Sequence, residues 1–325
     1  MNFDWSDLAF GSKNKVNNLH AVFVPAPRDI STARFRQLVQ TYLPKQNILL
    51  GFSKEQYVEG FEDQPQFRML EEAKVRELID RINQNAKTTH KIYTLSYFQR
   101  ELSYVLQKLS FSNVILVRGS WKHTFHTLPA YYTLIEAKVP YTFVSPFTST
   151  AEAQAYEKDI EVKLHTWLGM YMSETYTEAG MLDLSSKAAK LSFDYSFQTG
   201  VVVGKRTSPQ SKKYSLLLGA FNKVVPYQTY AMHNGNSREE HFSPPHDLNY
   251  YDTVHAEMEL LVWALYKKAS LKDTTMFINL LPCPTCSRIL SQTELSEIVY
   301  TIDHSDGYAI KMLEAAGKKV RRLIP

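Results

Sequence analysis

His255-Ala256-Glu257 and, 28 positions after the histidine, Pro282-Cys283-Pro284-Thr285-Cys286 decide how the last part of this chain folds. Together they offer one imidazole nitrogen and two thiolates, three of the four donors that a tetrahedral zinc takes. The fourth position is then left to water, and Glu257 stands two residues from the histidine as a carboxylate that is not a ligand. Structural zinc sites usually close all four positions, so an open site beside a free carboxylate is the arrangement of a hydrolytic centre. Zinc lowers the pKa of its water toward ~7, and Glu257 can take the proton released. The expected metal set is His255, Cys283 and Cys286, holding one Zn2+ per chain, with Glu257 as the catalytic residue.

The spacing also predicts local structure. Val254–Glu257 opens a helix, and Pro284 stands at the favoured first position of another. Helix N-termini stabilise the thiolates of Cys283 and Cys286, whose i, i+3 spacing brings both sulfurs to one metal. Two other readings compete. A C-x-x-C in a reducing compartment can be a thioredoxin-like redox pair, but that leaves His255-Ala256-Glu257 unexplained. A purely structural zinc needs a fourth ligand, for which His233, His241, His246 and His304 are the candidates. The chain has no third cysteine.

Outward from the motif, residues 181–325 read as a helix over Met181–Ser192, strands at Thr199–Val203 and Tyr214–Phe221, and then alternating helix and strand. The helix from about Val254 to Ala269 should turn Met258, Leu261, Val262 and Leu265 to the core. Thr275–Leu281, Glu297–Ile302 and Lys319–Ile324 are the remaining strands. Helices follow Pro284 and Gly307, and Gly317 stops the second of these. Residues 1–150 alternate apolar runs with amphipathic stretches, the pattern of an open parallel α/β sheet of Rossmann-like type. Its strands are expected at His20–Pro25, Asn47–Phe52, Lys91–Ser96, Asn113–Arg118 and Pro140–Val144. Residues 151–180 read as a helical linker that Gly180 ends.

On these residues and this order, the last ~145 residues resemble the cytidine/deoxycytidylate deaminase superfamily, and within it the deoxycytidylate deaminase-like proteins. The H-x-E…P-C-x-x-C pattern is the signature of zinc-dependent base deaminases. The resemblance implies a three-layer α/β/α domain with a five-stranded mixed sheet, and hydrolytic deamination of a cytosine nucleotide, most simply dCMP to dUMP. It implies water attack on the amine-bearing carbon, with Glu257 carrying protons to the ring nitrogen and to the departing ammonia. Gly219-Ala220-Phe221-Asn222 with Pro226 is similar to the family's Gly-x-Asn-x-x-Pro segment, which gives Asn222 a sugar- and base-binding role. Asn234-Gly235 is a second candidate; ordinary turn chemistry accounts for either as well. The resemblance further implies that the Ala256 N–H reads the base O2 and that the carbonyl of Leu281 or Pro282 accepts from the amine. It also places an aromatic near the base, for which Tyr308 is the choice, with a core role as the alternative. Met258-Glu259-Leu260 departs from the family's usual x-Asn-Ala. The stretch 223–254 is a polar insertion, expected as a lid rather than as a second metal site.

A monophosphate needs cationic or N–H donors, and Lys205 and Arg206 are the phosphate-binding candidates, with solvated lysines as the plain alternative. Arg238, Lys212 and Lys213 carry the same ambiguity. The run Lys318-Lys319-Val320-Arg321-Arg322 reads as charge protecting a sheet edge. In the first half, neither a G-x-G-x-x-G nor a P-loop is present. Arg118–His126 follows a strand end, where a phosphorylated, regulatory nucleotide or simple packing by Trp121 would suit it.

Composition bounds the rest. With 325 residues, 44% hydrophobic and 22% charged, the chain suits two soluble domains. A formal net charge of +4 gives no strong pull toward nucleic acid, which disfavours a polynucleotide deaminase as the alternative activity. A catalytically silent nucleotide-binding module is the other. No apolar run suits a membrane span and no signal peptide is seen, so the expected setting is cytoplasmic. Relatives' closed assemblies imply a homo-oligomer acting on a small-molecule nucleotide.

Overall fold

The computed structural model describes residues 1–171, 174–235, 253–303 and 307–324. The chain divides into two compact units, one of residues 1–155 with 229–246 and the other of residues 156–228 with 247–325. Among the described residues no helix is long and apolar enough to cross a membrane.

The first unit is built on a six-stranded, wholly parallel sheet. Its spatial order is Asn2–Asp4, Ile92–Tyr97, Asn47–Ser53, Ala21–Val24, Asn113–Val117 and Tyr141–Val144. Five of these match the expected strands to within two residues at either end. The sixth, Asn2–Asp4, is too short to show an alternating pattern and is held by pairing with Thr94–Ser96. Central strands bury every residue, as in Ala21–Val24, because helices cover both faces of a parallel sheet. Val22, Val24, Ile48, Leu50, Ile115 and Val117 make one such face with Phe35 and Leu38 of the Thr32–Tyr42 helix and Val75 and Ile79 of Glu72–Gln84. Ser31 caps the first of these helices, accepting from Arg34 N at 3.0 Å.

Beyond the strand ends, Ser120 Oγ accepts from Arg28 N at 3.0 Å, and the fully buried Arg28 guanidinium donates to Gln66 O at 2.6 Å. Residues 229–235 belong to this unit. Thr229 Oγ1 donates to Ala153 O at 2.9 Å, Met232 is buried against Arg28, and His233 Nδ1 lies 2.6 Å from Ser145 Oγ. The Arg118–His126 loop spends its aromatics on packing: Trp121 lies against the buried Phe125, and the Arg118 guanidinium over Phe143.

The second unit carries a mixed sheet of six strands, not the five expected. Its order is Lys319–Arg322, Glu297–Ile302, Thr275–Leu280, Gly200–Arg206, Lys213–Phe221 and Thr175–Thr177. The first three run parallel, and the others are antiparallel to their neighbours. Side-chain alternation sorts the core into two layers. Val201, Val203, Met276, Ile278, Ile298 and Tyr300 face Ala256, Leu260, Leu290 and Leu313 from three helices: Ala256–Lys267, Pro284–Leu290 and Tyr308–Ala315. Val202, Phe277 and Val299 face the opposite way, onto Met181, Leu182 and Leu184 of Glu178–Ala189. The result is α/β/α.

Three expectations are corrected here. The added strand Thr175–Thr177 lies in the stretch read as linker, where the Thr150–Tyr171 helix has already ended. Gly180 does not stop a helix; it lies in the first turn of Glu178–Ala189, its N–H capped by Thr177 Oγ1 at 3.2 Å. The Ala256–Lys267 helix buries Ala256, Glu257, Leu260 and Ala264, whereas Val262 and Leu265 are 58% and 80% exposed. Small alanines let the helix sit close to the sheet, and that outweighs the side-chain size by which its inner face was chosen.

Candidate metal centre and active site

Both halves of the motif are helix starts. His255 is the N-cap of Ala256–Lys267, in extended conformation, and its side chain is not used as a cap. Cys283 is the N-cap of Pro284–Leu290, and its Sγ accepts from Cys286 N at 3.4 Å. Strand Thr275–Leu280 delivers Leu281, Pro282 and Cys283, while a two-stranded ladder pairing Lys223–Val224 with Thr253–Val254 delivers His255.

The two helix starts converge. His255 Nδ1 lies 3.6 Å from Cys283 Sγ and 3.4 Å from Cys286 Sγ, and the three donor atoms all fall within 4.8 Å of one another. Tetrahedral zinc with Zn–S ~2.3 Å and Zn–N ~2.1 Å requires a sulfur–nitrogen separation of about 3.6 Å. The donor set and its spacing fit zinc. Among the described residues, these three form the group able to hold a metal. His233, a candidate fourth ligand, is instead bonded to Ser145 in the first unit. His241, His246 and His304, and Arg238, lie outside the described residues.

The hydrogen bond from Cys286, with help from His255, pulls the Cys283 thiol down to about 3 against the effect of burial. The same shared hydrogen bond, then burial and the charge of Glu257, push the Cys286 thiol far up. Two thiols this close can both release their protons only if a metal ion neutralises them. The hydrogen bond to Cys283 raises His255, outweighing desolvation, and the charges of Glu257 and Asp194 add to it.

Glu257 is 3% exposed, and burial raises its carboxyl above the ordinary range. It reaches the Cys286 thiol but stands outside the three-donor cluster. Ala256 opens the same helix, fully buried at its N-terminus. Leu281 is buried, with its N–H on Ile302 O at 2.9 Å, and Pro282 O accepts from Ser287 Oγ at 3.3 Å.

The remaining candidates scatter. Asn222 is 4% exposed, and its amide serves the neighbouring loop: Nδ2 donates to Phe197 O at 2.8 Å and Asp194 Oδ2 at 3.1 Å, and Oδ1 accepts from Thr199 N at 2.8 Å. Asn234 ends the Tyr230–Asn234 helix and belongs to the first unit. Tyr308, at 54% exposed, is not a core residue. Lys205 and Arg206 lie at the far end of their strand. The register sets Val201 opposite Ile278 and Gly204 opposite Thr275, so the two basic residues are roughly 20 Å of strand from the cysteine end. Arg206 also pairs with Glu297 at 3.4 Å. Reading the sequence missed Asp194, Asn279 and Thr253, which tie the loop and the His255 segment together. Single polar residues in loops carry no spacing signal, although Asp194-Tyr195-Ser196 has the form of an Asx turn.

A family model of MafB19-like deaminases matches residues 236–322, the stretch that contains all three donors and Glu257. Over those residues the chain is similar to deaminases of the cytidine deaminase-like superfamily. Deoxycytidylate deaminases of Enterobacteria phages T2 and T4 are each 29% identical to this chain over 62 residues, 19% of the chain. The match spans about a third of the phage proteins' length (33% and 32%). A probable deoxycytidylate deaminase of Drosophila melanogaster is 25% identical over 152 residues, covering 41% of this chain and 72% of the fly protein. Among solved structures, the dCMP deaminase of cyanophage S-TIM5 in complex with dCMP and dUMP is similar at 20% identity and TM-score 0.35, over 44% of this chain and 93% of that one. Guanine deaminase from Nitrosomonas europaea is similar at 14% identity and TM-score 0.31, over 48% of this chain and 84% of its own.

Proposed function

We propose that this protein is a zinc-dependent hydrolytic deaminase of a cytosine nucleotide, with dCMP to dUMP as the reaction. One observation carries the reading: a buried Glu257 carboxyl beside, but outside, a His255–Cys283–Cys286 donor cluster. Zinc bound by those three would supply the Lewis acidity that makes water a nucleophile at neutral pH. Glu257 takes the proton that water gives up as its oxygen joins the amine-bearing carbon, and passes it to the ring nitrogen. It then delivers the second water proton to the amine, the carbon–nitrogen bond breaks and ammonia leaves. A carboxyl raised by burial suits a group that must both accept and return protons.

The Ala256 N–H is assigned to the base O2, and the Leu281 carbonyl to the amine ahead of Pro282, whose carbonyl already accepts from Ser287. Asn222 is assigned to holding the loop that lines the site, with its remaining acceptor lone pair open to a sugar hydroxyl. Tyr308, half exposed at a helix start, is kept as the aromatic of the pocket rim. The cytosine nucleotide is favoured by the deoxycytidylate deaminases among the relatives. The basic run 318–322, which a polynucleotide would use, is largely spent on Glu297, Glu178 and Asp303. A homo-oligomer and a cytoplasmic setting belong to the same proposal.

The test is ammonia release from cytidine, deoxycytidine, CMP, dCMP, dCTP, guanine, adenosine and a single-stranded oligonucleotide, with zinc content measured on the same material. Glu257→Gln should retain zinc and lose about 10²–10⁴-fold or more in rate. Equal rates for Glu257→Gln and wild type would overturn the reading. A preference for the oligonucleotide would replace the substrate while keeping the chemistry.

A further inference from the structure

We propose that Asp194 is a positioning residue of this centre, tying the loop beside the site to the segment that presents His255. The inference rests on the zinc reading above. Its ground is one carboxylate that joins three parts of the chain. Asp194 Oδ1 accepts from Ser196 N at 2.7 Å and Phe197 N at 3.2 Å, which folds the loop back on itself. Asp194 Oδ2 accepts from Thr253 Oγ1 at 2.8 Å and from Asn222 Nδ2 at 3.1 Å. An ionised carboxylate has about four acceptor directions, and all four are used here.

Thr253 is the decisive partner. It stands two residues before His255, opposite Val224 in a ladder that, among the described residues, is two residues long on each strand. So short a ladder fixes the histidine weakly by itself, and the Asp194–Thr253 bond supplies a further anchor at the last paired position but one. On the loop side, Asn279 closes the arrangement: its Oδ1 accepts from Gly200 N at 2.9 Å and its Nδ2 donates to Gln198 O at 3.0 Å. The loop 194–200 is therefore held by side chains from three neighbouring segments. Only a carboxylate at 194 serves both faces. An asparagine there keeps an acceptor for Ser196 and Phe197 but sets an amide N–H2 against the donors of Asn222 and Thr253.

The experiment uses the full chain. Zinc affinity is measured by competition with a chelator, the electronic absorption spectrum of the Co2+-loaded protein is recorded, and the melting temperature of the metal-free protein is read alongside. Thr253→Val removes the hydroxyl and keeps the shape, Thr253→Ser restores it, and Asp194→Asn removes the charge. Asp194→Asn and Thr253→Val should each weaken zinc binding by about 10–100-fold and shift the Co2+ spectrum. Thr253→Ser should return both close to wild type, with the metal-free melting temperatures of the two Thr253 variants alike. Should Asp194→Asn not fold, the Thr253 pair decides alone. Wild-type zinc affinity and Co2+ spectrum in Thr253→Val overturn the inference and leave the deaminase reading standing. A wild-type protein that takes up no zinc overturns both.

Discussion

His255 Nδ1 and Cys286 Sγ lie 3.4 Å apart although 31 residues separate them in the chain. Two helix starts at one end of a sheet bring them together, and the peptide N–H groups there favour negative charge on sulfur. A hydrogen bond from Cys286 holds the Cys283 thiol low, while hydrogen bonds to Cys283 raise Cys286 and His255. Zinc uptake must therefore expel protons from Cys286 and His255. Calorimetric titration of the metal-free protein with Zn2+ in two buffers of different ionisation enthalpy should show net proton release near neutral pH. Because His255 is raised, protons compete for it earlier on acidification than for an ordinary imidazole, and zinc affinity should fall as pH drops. Uptake without proton release would show that the donors are not these.

Removing the metal should also cost stability, because a ligand that binds only the folded state stabilises it by mass action. Dialysis against a chelator is expected to lower the melting temperature of wild type and of Glu257→Gln alike. Cys286→Ser should melt at the metal-free temperature whether or not zinc is added. A chelator-insensitive wild type would contradict this.

At the far end of the same sheet, Arg321 bonds Glu178 and Glu297, each at 2.7 Å. Burial pushes the Glu297 carboxyl up, but the hydrogen bond and charge of Arg321, with Lys319, more than offset this and hold it below its ordinary value. Glu178 is lowered in the same way, against burial, by Arg321 and Tyr214. Both carboxylates thus contribute stability above their unfolded values of about 4.3, and lose it as pH falls through their lower folded values. Arg321 and Glu178 are only half-buried, so Arg321→Met should cost about 1–3 kcal/mol, less than breaking a fully buried pair, and Arg206 and Lys319 remain beside Glu297. Urea denaturation at pH 7 and pH 3 checks both statements: the variant's deficit should shrink at pH 3.

The candidate donor cluster was legible because its chemistry is written in spacing: i, i+2 for His255 and Glu257, i, i+3 for the cysteines, each at a helix start. Strands such as Asn113–Val117 were legible because burial on both faces leaves an unbroken apolar run. What the sequence hid depends on partners remote in the chain. Arg206 reads as a solvated or phosphate-seeking loop residue until Glu297, 91 positions away, is found beside it. Strands of three residues, Asn2–Asp4 and Thr175–Thr177, gain their order from the sheet edge they join and have no pattern of their own. Asp194 was invisible for a related reason, as its role is set by Asn222 and Thr253 and not by its neighbours.

Gly200 sets how closely the Glu178–Ala189 helix can lie on the sheet. A Cβ there would stand 2.1 Å from Ser185 O and 2.2 Å from Ala189 N, both backbone atoms of that helix, which side-chain rotation cannot move. Gly200 is also the residue where the site loop enters the strand, its N–H bonded to Asn279 Oδ1 at 2.9 Å. Gly200→Ala must push helix from sheet or displace the loop. Overpacking of this kind costs about 1–3 kcal/mol, and more where backbone must shift. Gly307→Ala meets nothing within 4 Å and serves as the control. Thermal melts of the two variants should separate clearly, with Gly307→Ala near wild type and Gly200→Ala well below it. If the helix moves as a body, Gly200→Ala loses stability but keeps zinc affinity; if the loop yields instead, zinc affinity and activity fall with it. Chelator competition on the folded variant tells which element gives way.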